Sequence, residues 1–455
     1  MQTSRVGRIA ACAVRISLAA AGCSSSGTGG SSSSGASTPS STASSDTGSG
    51  SSSSQAPDTS SSGGGDQTTT DGITDTTILF GNSSPQSGVF ASAGQADRSL
   101  KACFDDLNAT KGGAAMADGK TRKLELKIYD DAYDPAKTLE NVKKLVEQDH
   151  VFAVTGVVGT PTNTSIAPYL NDQKVPQLFA LSGASKFGAS QATWPWTIGW
   201  SPSYATEAAI YAKWLSDTKK NATVAILAQN DGYGNDYLNS FTKSIEGTGI
   251  SVVAKATYEP TDPTVDSQVL QLSRSNADVF FVITLPKQAA QALKKLQTLN
   301  WKPLRILANP AASVPSTIDP VGRDYSKGII STNYQKDPSD PKWADDPAMQ
   351  EYLQKIKKAE NVTPQEPTAV QGFAYCQAIV ETLKNAQPTR QGLMDAARNL
   401  SKVRIDLLLS GIVMNTSQTD PFPIESTYIT EFDGTRFAPQ GDAWDLEGKT
   451  PISTS

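Results

Sequence analysis

One histidine, His150, occurs in 455 residues. That scarcity excludes metal centres built on several imidazoles and leaves Ser-His-Asp catalysis without a base. There are only four cysteines and no CxxC pair, so a disulfide-dense scaffold, a zinc knuckle and a redox dithiol are all excluded. No apolar run reaches the ~18 residues of a membrane span, which rules out a polytopic membrane protein. The net charge is −5 with no long basic cluster, so neither nucleic acid nor an anionic membrane surface is expected as the main partner. The motifs GxSxG, HExxH and Walker A do not occur, and Gly232-Tyr233-Gly234 lacks the third glycine of a dinucleotide loop. Asp130-Asp131 ends a strand, where successive side chains point apart. Asp105-Asp106 and Asp345-Asp346 read as solvated faces. No enzyme, cofactor or metal is expected.

What is present begins with an address. Arg5 and Arg8 precede a small-residue apolar stretch that ends Leu18-Ala19-Ala20-Ala21-Gly22-Cys23. It resembles a bacterial lipoprotein signal, in which peptide 1–22 is removed and Cys23 carries the lipid, although Arg15 interrupts the apolar region. Residues 23–72 form a tether that is mostly Ser, Gly and Thr, too polar to bury an ordering core. As a flexible coil it spans roughly 40 Å root-mean-square. Cleavage at Cys23 leaves 37 Lys and Arg against 45 Asp and Glu, a charge of −8.

From Ile73 onward strands and helices alternate. Thr77–Gly81, Lys123–Asp130, Val151–Val158 and Pro176–Ser182 read as strands. Between them Gly94–Leu107, a helix opened by Asp134-Pro135, and Thr162–Asp172 show helical periodicity. The pattern restarts after Trp194-Pro195-Trp196. Helices are predicted at Ala205–Leu215, Tyr237–Ile245, Val265–Leu272 and Gln288–Leu299. Strands are predicted at Thr223–Ala228, Ile250–Ala256, Val279–Ile283 and Arg305–Ala308, with a late one at Thr427–Glu431. The repeat argues for α/β architecture with parallel sheets covered on both faces.

The runs Ile128-Tyr129-Asp130-Asp131-Ala132-Tyr133-Asp134-Pro135, Val151 to Gly156, Val175 to Phe179 and Asn230-Asp231-Gly232-Tyr233-Gly234 carry a family resemblance in their order and spacing. The chain is similar over 74–440 to type I periplasmic-type solute-binding proteins of ABC importers, the branched-chain amino acid and amide binders. The resemblance implies two doubly wound lobes joined by three hinge crossings, near Thr197–Pro202, Ser331–Tyr334 and Asp420–Ile424. Lobe 1 is then 73–198 plus 332–420, and lobe 2 is 199–331 plus 421–455. It also implies an extracytoplasmic receptor that captures a small solute by closing and docks on permease subunits; the lipoprotein signal at Cys23 independently fits such a receptor being lipid-anchored, and a monomer is expected. A sensor subunit of the same fold is the alternative.

The resemblance places ligand contacts in loops after the strands. Thr160 and the helix start behind it face a carboxylate or carbonyl, or Thr160 merely caps that helix. Ser182, Gly183 and Ala184 form a second such loop, or a plain turn. Tyr233 and Phe90 are aromatic walls, and Leu285 stands where the family often has Tyr. Where amino-acid binders place an acid for the ammonium, this chain reads Ala308-Asn309-Pro310-Ala311, and Arg305 to Val314 contains no acid. An α-amino acid is therefore not expected unless Asp231 or another acid substitutes; a small amide or organic acid fits this wall better. Cys103 and Cys376 sit on predicted helices of the same lobe and either pair or remain buried thiols.

Overall fold

The computed structural model describes residues 70–449. The expected signal peptide, Cys23 and all but the last residues of the tether lie outside them. Two sheets carry the architecture. The first takes strands in the order β2-β3-β1-β4-β5-β6. These are β1 (Thr77–Ser84), β2 (Ala114–Ala115), β3 (Thr121–Asp130), β4 (Ala153–Thr155), β5 (Gln177–Ala180) and β6 (Thr197–Gly199). Only β2 runs antiparallel to its neighbour. The helices between them are α1 (Gln95–Lys111), α2 (Pro135–Glu147), α3 (Thr160–Asp172) and the short α4 (Lys186–Ala189). Asp134 caps α2 by accepting from the amides of Ala136 and Lys137, with Pro135 in the first turn where a missing N–H costs nothing.

The second sheet runs β13-β12-β11-β10-β9-β7-β8, with β14 pairing β12 off that path. Its parallel part is β7 (Thr223–Gln229), β8 (Ser251–Tyr258), β9 (Val279–Ile283), β10 (Leu304–Leu307) and β11 (Ile330–Asn333). The late strands β12 (Ser426–Phe432), β13 (Phe437–Pro439) and β14 (Trp444–Asp445) add antiparallel edges. Helices α5 (Tyr204–Thr218), α6 (Gly232–Ser244), α7 (Asp266–Ser273), α8 (Pro286–Leu299), α9 (Asp319–Val321) and α10 (Arg323–Ser326) connect the parallel strands. The chain then returns to the first sheet as α11 (Pro347–Ile356), α12 (Pro367–Asn385) and α13 (Arg390–Ala397).

Each sheet buries both faces. Phe80, Phe104, Tyr352 and Ile379 belong to one core of the first lobe, and Val142, Leu145 and Ile166 to the other. Ile226, Phe241 and Phe281 fill one side of the second sheet, and Leu227, Phe280 and Leu293 the opposite side. Alternate residues of β7 and β9 thus point to opposite cores, as the two-residue period of a strand requires. Helix α12 lies against α1 at close range because position 372 is glycine: a Cβ there would stand 1.9 Å from the Ala96 carbonyl oxygen. A disulfide between Cys103 and Cys376 joins the same two helices across 273 residues of sequence.

The structure differs from expectation at four elements. The strand expected over Val151–Val158 contracts to Ala153–Thr155. The carbonyls of Val151 and Phe152 are instead taken by the buried guanidinium of Arg390, at 2.8 and 3.0 Å, and Gly156 turns into a left-handed conformation. Helix α6 begins five residues early, because Asp231 accepts from the amides of Tyr233 and Gly234 and so caps it. Thr197–Gly199 is a strand of the first sheet and Ile330–Asn333 a strand of the second, so the first two connections between sheets start after those strands.

The covalent link gives a test of the α1–α12 packing. Replacing Cys103 and Cys376 together by Ala is expected to lower unfolding stability by about 2–4 kcal/mol, read as a shift of the urea midpoint. An unchanged midpoint would show that the helices hold without the bond.

Candidate functional site

The carboxyl ends of the two parallel sheets face each other, the place where open α/β sheets bind ligands. The loops that leave β1, β4 and β5 approach those that leave β7, β9 and β10. Between them lies a cleft with about 880 Å³ of empty space, part of it open to solvent. Its walls include Phe90, Thr160, Ser182, Gly183, Tyr233 and Leu285. Ala184 is not among the lining residues. It is 4% exposed and packs with Phe187 and Tyr204 in an apolar cluster, which corrects the expectation for that position.

The first lobe supplies hydroxyls. Thr160 opens α3, and its Oγ1 lies 2.8 Å from Ser182 Oγ, which also accepts from the Ala184 amide at 3.1 Å. Gly183 is required by close approach: a Cβ would meet the Pro202 carbonyl at 2.5 Å and the Tyr204 ring at 2.6 Å. A β-bulge at Phe179, with φ of 53°, bends β5 just before this loop. Tyr133 reaches the cleft from a turn in which both Ala132 and Tyr133 are left-handed. Asp131 holds that turn by accepting from the Tyr133 amide, Ser83 and Thr138. Phe90 meets the Tyr133 ring edge-on at 5.4 Å.

The second lobe supplies rings and an acid. Tyr233 sits in the first turn of α6, not in a loop, and donates to the Thr284 carbonyl at 3.2 Å. Its ring centroid is 5.1 Å from that of Tyr204, which stacks on Tyr237 at 4.6 Å. Glu207, from the first turn of α5, lines the cleft at 2% exposure. It accepts from Tyr237 at 2.7 Å and Thr332 at 2.6 Å, and burial pushes its carboxyl up to about 7. A second acid, Glu366, enters from the N-terminus of α12 and accepts from Ser313 at 2.9 Å and from Ser316. Burial raises its pKa as well. The wall is therefore not free of acids. The loop after β10 contains none, as expected, but carboxylates arrive from two helices instead. Asp231 caps α6 and binds Gln229, and it is not part of the wall.

Sequence reading missed Tyr133, Tyr204, Glu207, Tyr334 and Glu366. Glu207 had a signal: it is the lone acid among the apolar residues of Tyr204 to Tyr211. Glu366 precedes Pro367 in a polar stretch, and nothing local marks it as a wall residue.

The lobes touch around the cleft. The Ser185 amide and hydroxyl donate to Asp236 of α6 at 2.7 and 3.2 Å. Glu366 reaches Ser313 and Ser316 from the other lobe. Gly232 leaves room for Thr160, since a Cβ at 232 would stand 3.0 Å from the Thr160 methyl.

A family model described as periplasmic binding protein matches residues 77–436. Among solved structures, a branched chain amino acid ABC transporter from Thermus thermophilus with bound valine is 14% identical, with a TM-score of 0.71 over 81% of this chain and 96% of that one. A solute-binding protein of an ABC transporter from R. palustris, in complex with 4-hydroxybenzoate, is 19% identical, with a TM-score of 0.68 over 83% and 98%. A fatty acid ABC transporter substrate-binding protein from Thermomonospora curvata is 21% identical, with a TM-score of 0.69 over 84% and 97%. No curated protein matches the chain in sequence.

Buried acids give the folded protein an unusual pH response. Burial pushes Asp97 up to about 8 and Glu207 up to about 7. Between pH 5 and 8 the native state holds protons that the unfolded chain has lost, so stability falls as pH rises through this window. Urea midpoints are expected to decline from pH 5 to pH 8, and Asp97→Asn to flatten the decline. A midpoint that rises over the window would contradict the assignment.

Proposed function

The chain belongs to the periplasmic binding protein family, and from that premise we propose that it is the lipid-anchored solute receptor of an ABC importer. The carrying observation is a cleft between facing strand ends, rimmed by hydrogen bonds that cross from one lobe to the other. A solute entering an open form meets one lobe first. Closure then brings the second lobe down, removes water and adds the cross-lobe contacts, so ligand binding and lobe closure are one equilibrium. The closed form docks on permease subunits. No bond in the solute needs to change.

Lobe 1 is assigned as 73–199 plus 334–420 and lobe 2 as 200–333 plus 421–449, the bounds expected from the sequence being moved past β6 and β11. Phe90, Thr160, Ser182, Gly183, Tyr233 and Leu285 are assigned as ligand contacts, with Tyr233 and Phe90 as aromatic walls. The solute is a small organic metabolite of amide, organic acid or amino-acid-like size. The lipid sits on Cys23, and the Ser/Gly/Thr segment lets a monomeric receptor sample space above the membrane.

Titration by intrinsic fluorescence tests the reading, since Trp194, Trp196 and Trp200 lie beside the first connection between lobes. A metabolite that binds is expected to change their emission and to reduce the radius of gyration in small-angle scattering. Tyr233→Ala is expected to weaken that binding at least tenfold, about 1.4 kcal/mol; an unchanged affinity removes Tyr233 from the site. Cys23→Ala is expected to move the protein from the membrane fraction to the soluble one, and mass spectrometry of the natural N-terminus to find an acylated cysteine.

A further inference from the structure

The cleft wall is unbalanced in charge. Among the described residues that line it there is no lysine, arginine or histidine, yet Glu207 and Glu366 enter it from opposite lobes. A third acceptor is open: Gln335 is 7% exposed, its amide nitrogen donates to the Pro367 carbonyl at 2.8 Å, and its amide oxygen has no hydrogen-bond partner. The rings of Phe90, Tyr133, Tyr204, Tyr233 and Tyr334 make up much of the remaining wall. Carboxylates, an open carbonyl and aromatic faces all attract a cation with N–H donors.

An anion finds hydroxyls and amides on this wall, Ser92, Ser201 and Thr368 among them, but no cation. At the strand-end loops Thr160 and Ser182 are 2.8 Å from each other and the Tyr204 hydroxyl lies against both. Pro161 removes one amide donor from the first turn of α3. A ligand carboxylate would have to break this hydroxyl group apart and stand in a wall that already holds two acids. Burying charge without a partner costs several kcal/mol.

On the receptor reading above, we propose that the solute is an organic amine: a primary ammonium that takes its acceptors from Glu207, Glu366 and Gln335, on an apolar body held among the rings, and without a carboxylate. Tyr204 then sets specificity by occupying the place an amino acid's carboxylate would need.

Proton flow reports the sign of the ligand's charge. Glu207 is faced by Tyr211 on its own helix, by Tyr233 and Tyr237 from α6, by Thr332 from β11, and by Tyr204 and Tyr334. None of these is a cation. An arriving ammonium therefore favours the ionised carboxylate and releases a proton near pH 7, whereas an arriving anion takes one up.

The full chain is titrated by calorimetry at pH 7 in two buffers of different ionisation enthalpy. The probes are 2-phenylethylamine and 3-methylbutylamine, then phenylalanine and leucine, which add a carboxylate to the same bodies, and 3-phenylpropionate. At least one amine is expected to bind tenfold or more tighter than its amino acid and than the acid, with net proton release. Binding of neither amine, or an amino acid or acid binding as tightly as the amine, overturns the proposal. In that event, closure on valine or 4-hydroxybenzoate in small-angle scattering keeps the receptor reading, and absence of closure on every compound counts against that reading too. Tyr204→Phe, checked for folding by circular dichroism, is expected to narrow the ratio between amine and amino acid at least threefold. An unchanged ratio removes Tyr204 from the selection.

Discussion

Tyr204 is where the two halves of the molecule depend on each other. Its amide donates to the Gly183 carbonyl at 2.6 Å, its ring covers the bare backbone of Gly183, and its hydroxyl lies against Thr160 and Ser182. The other face of the ring stacks on Tyr237, whose hydroxyl binds Glu207. One side chain at the start of α5 thus ties the site loops of the first sheet to the aromatic core of the second. The arrangement works because position 183 carries no Cβ and because the Tyr204 amide and hydroxyl both find partners in the seam.

The same accounting explains the buried acids. Glu207 lies almost wholly out of water, yet it accepts from residues on α6 and β11 and so spans the inner face of its lobe. Glu366 is different, because its donors Ser313 and Ser316 belong to the opposite sheet. Separation of the lobes would leave that carboxylate to water, and approach would return it to the serines. The hydrogen bonds of Glu366 thus join the two sheets' loops, whereas those of Glu207 join elements around the second sheet alone.

Periodicity made the elements readable. The alternating pattern of Lys123–Asp130 and the apolar run Val279–Ile283 became β3 and β9, and Asp134-Pro135 opened α2, because local propensity and tertiary packing agree there. Failures arose where a distant group decided. Val151 and Phe152 look like strand residues, but Arg390, more than two hundred positions away, takes their carbonyls. The cleft was legible as a set of strand-end loops, and six residues singled out on that ground line it. Glu366 and Tyr133 were not, since a segment that follows β11 and a left-handed turn converge on the cleft only in three dimensions.

The bond between Cys103 and Cys376 has a topological meaning beyond its strength. The five parallel strands of the second sheet, β7 to β11, all lie on the chain between those two positions, so that segment is a covalent loop within a closed ring. A protease that nicked an exposed turn between β7 and β11 would leave a single covalent molecule, with both ends of the cut still joined through the disulfide. For an extracytoplasmic binding protein, a cut in that segment would not by itself release fragments.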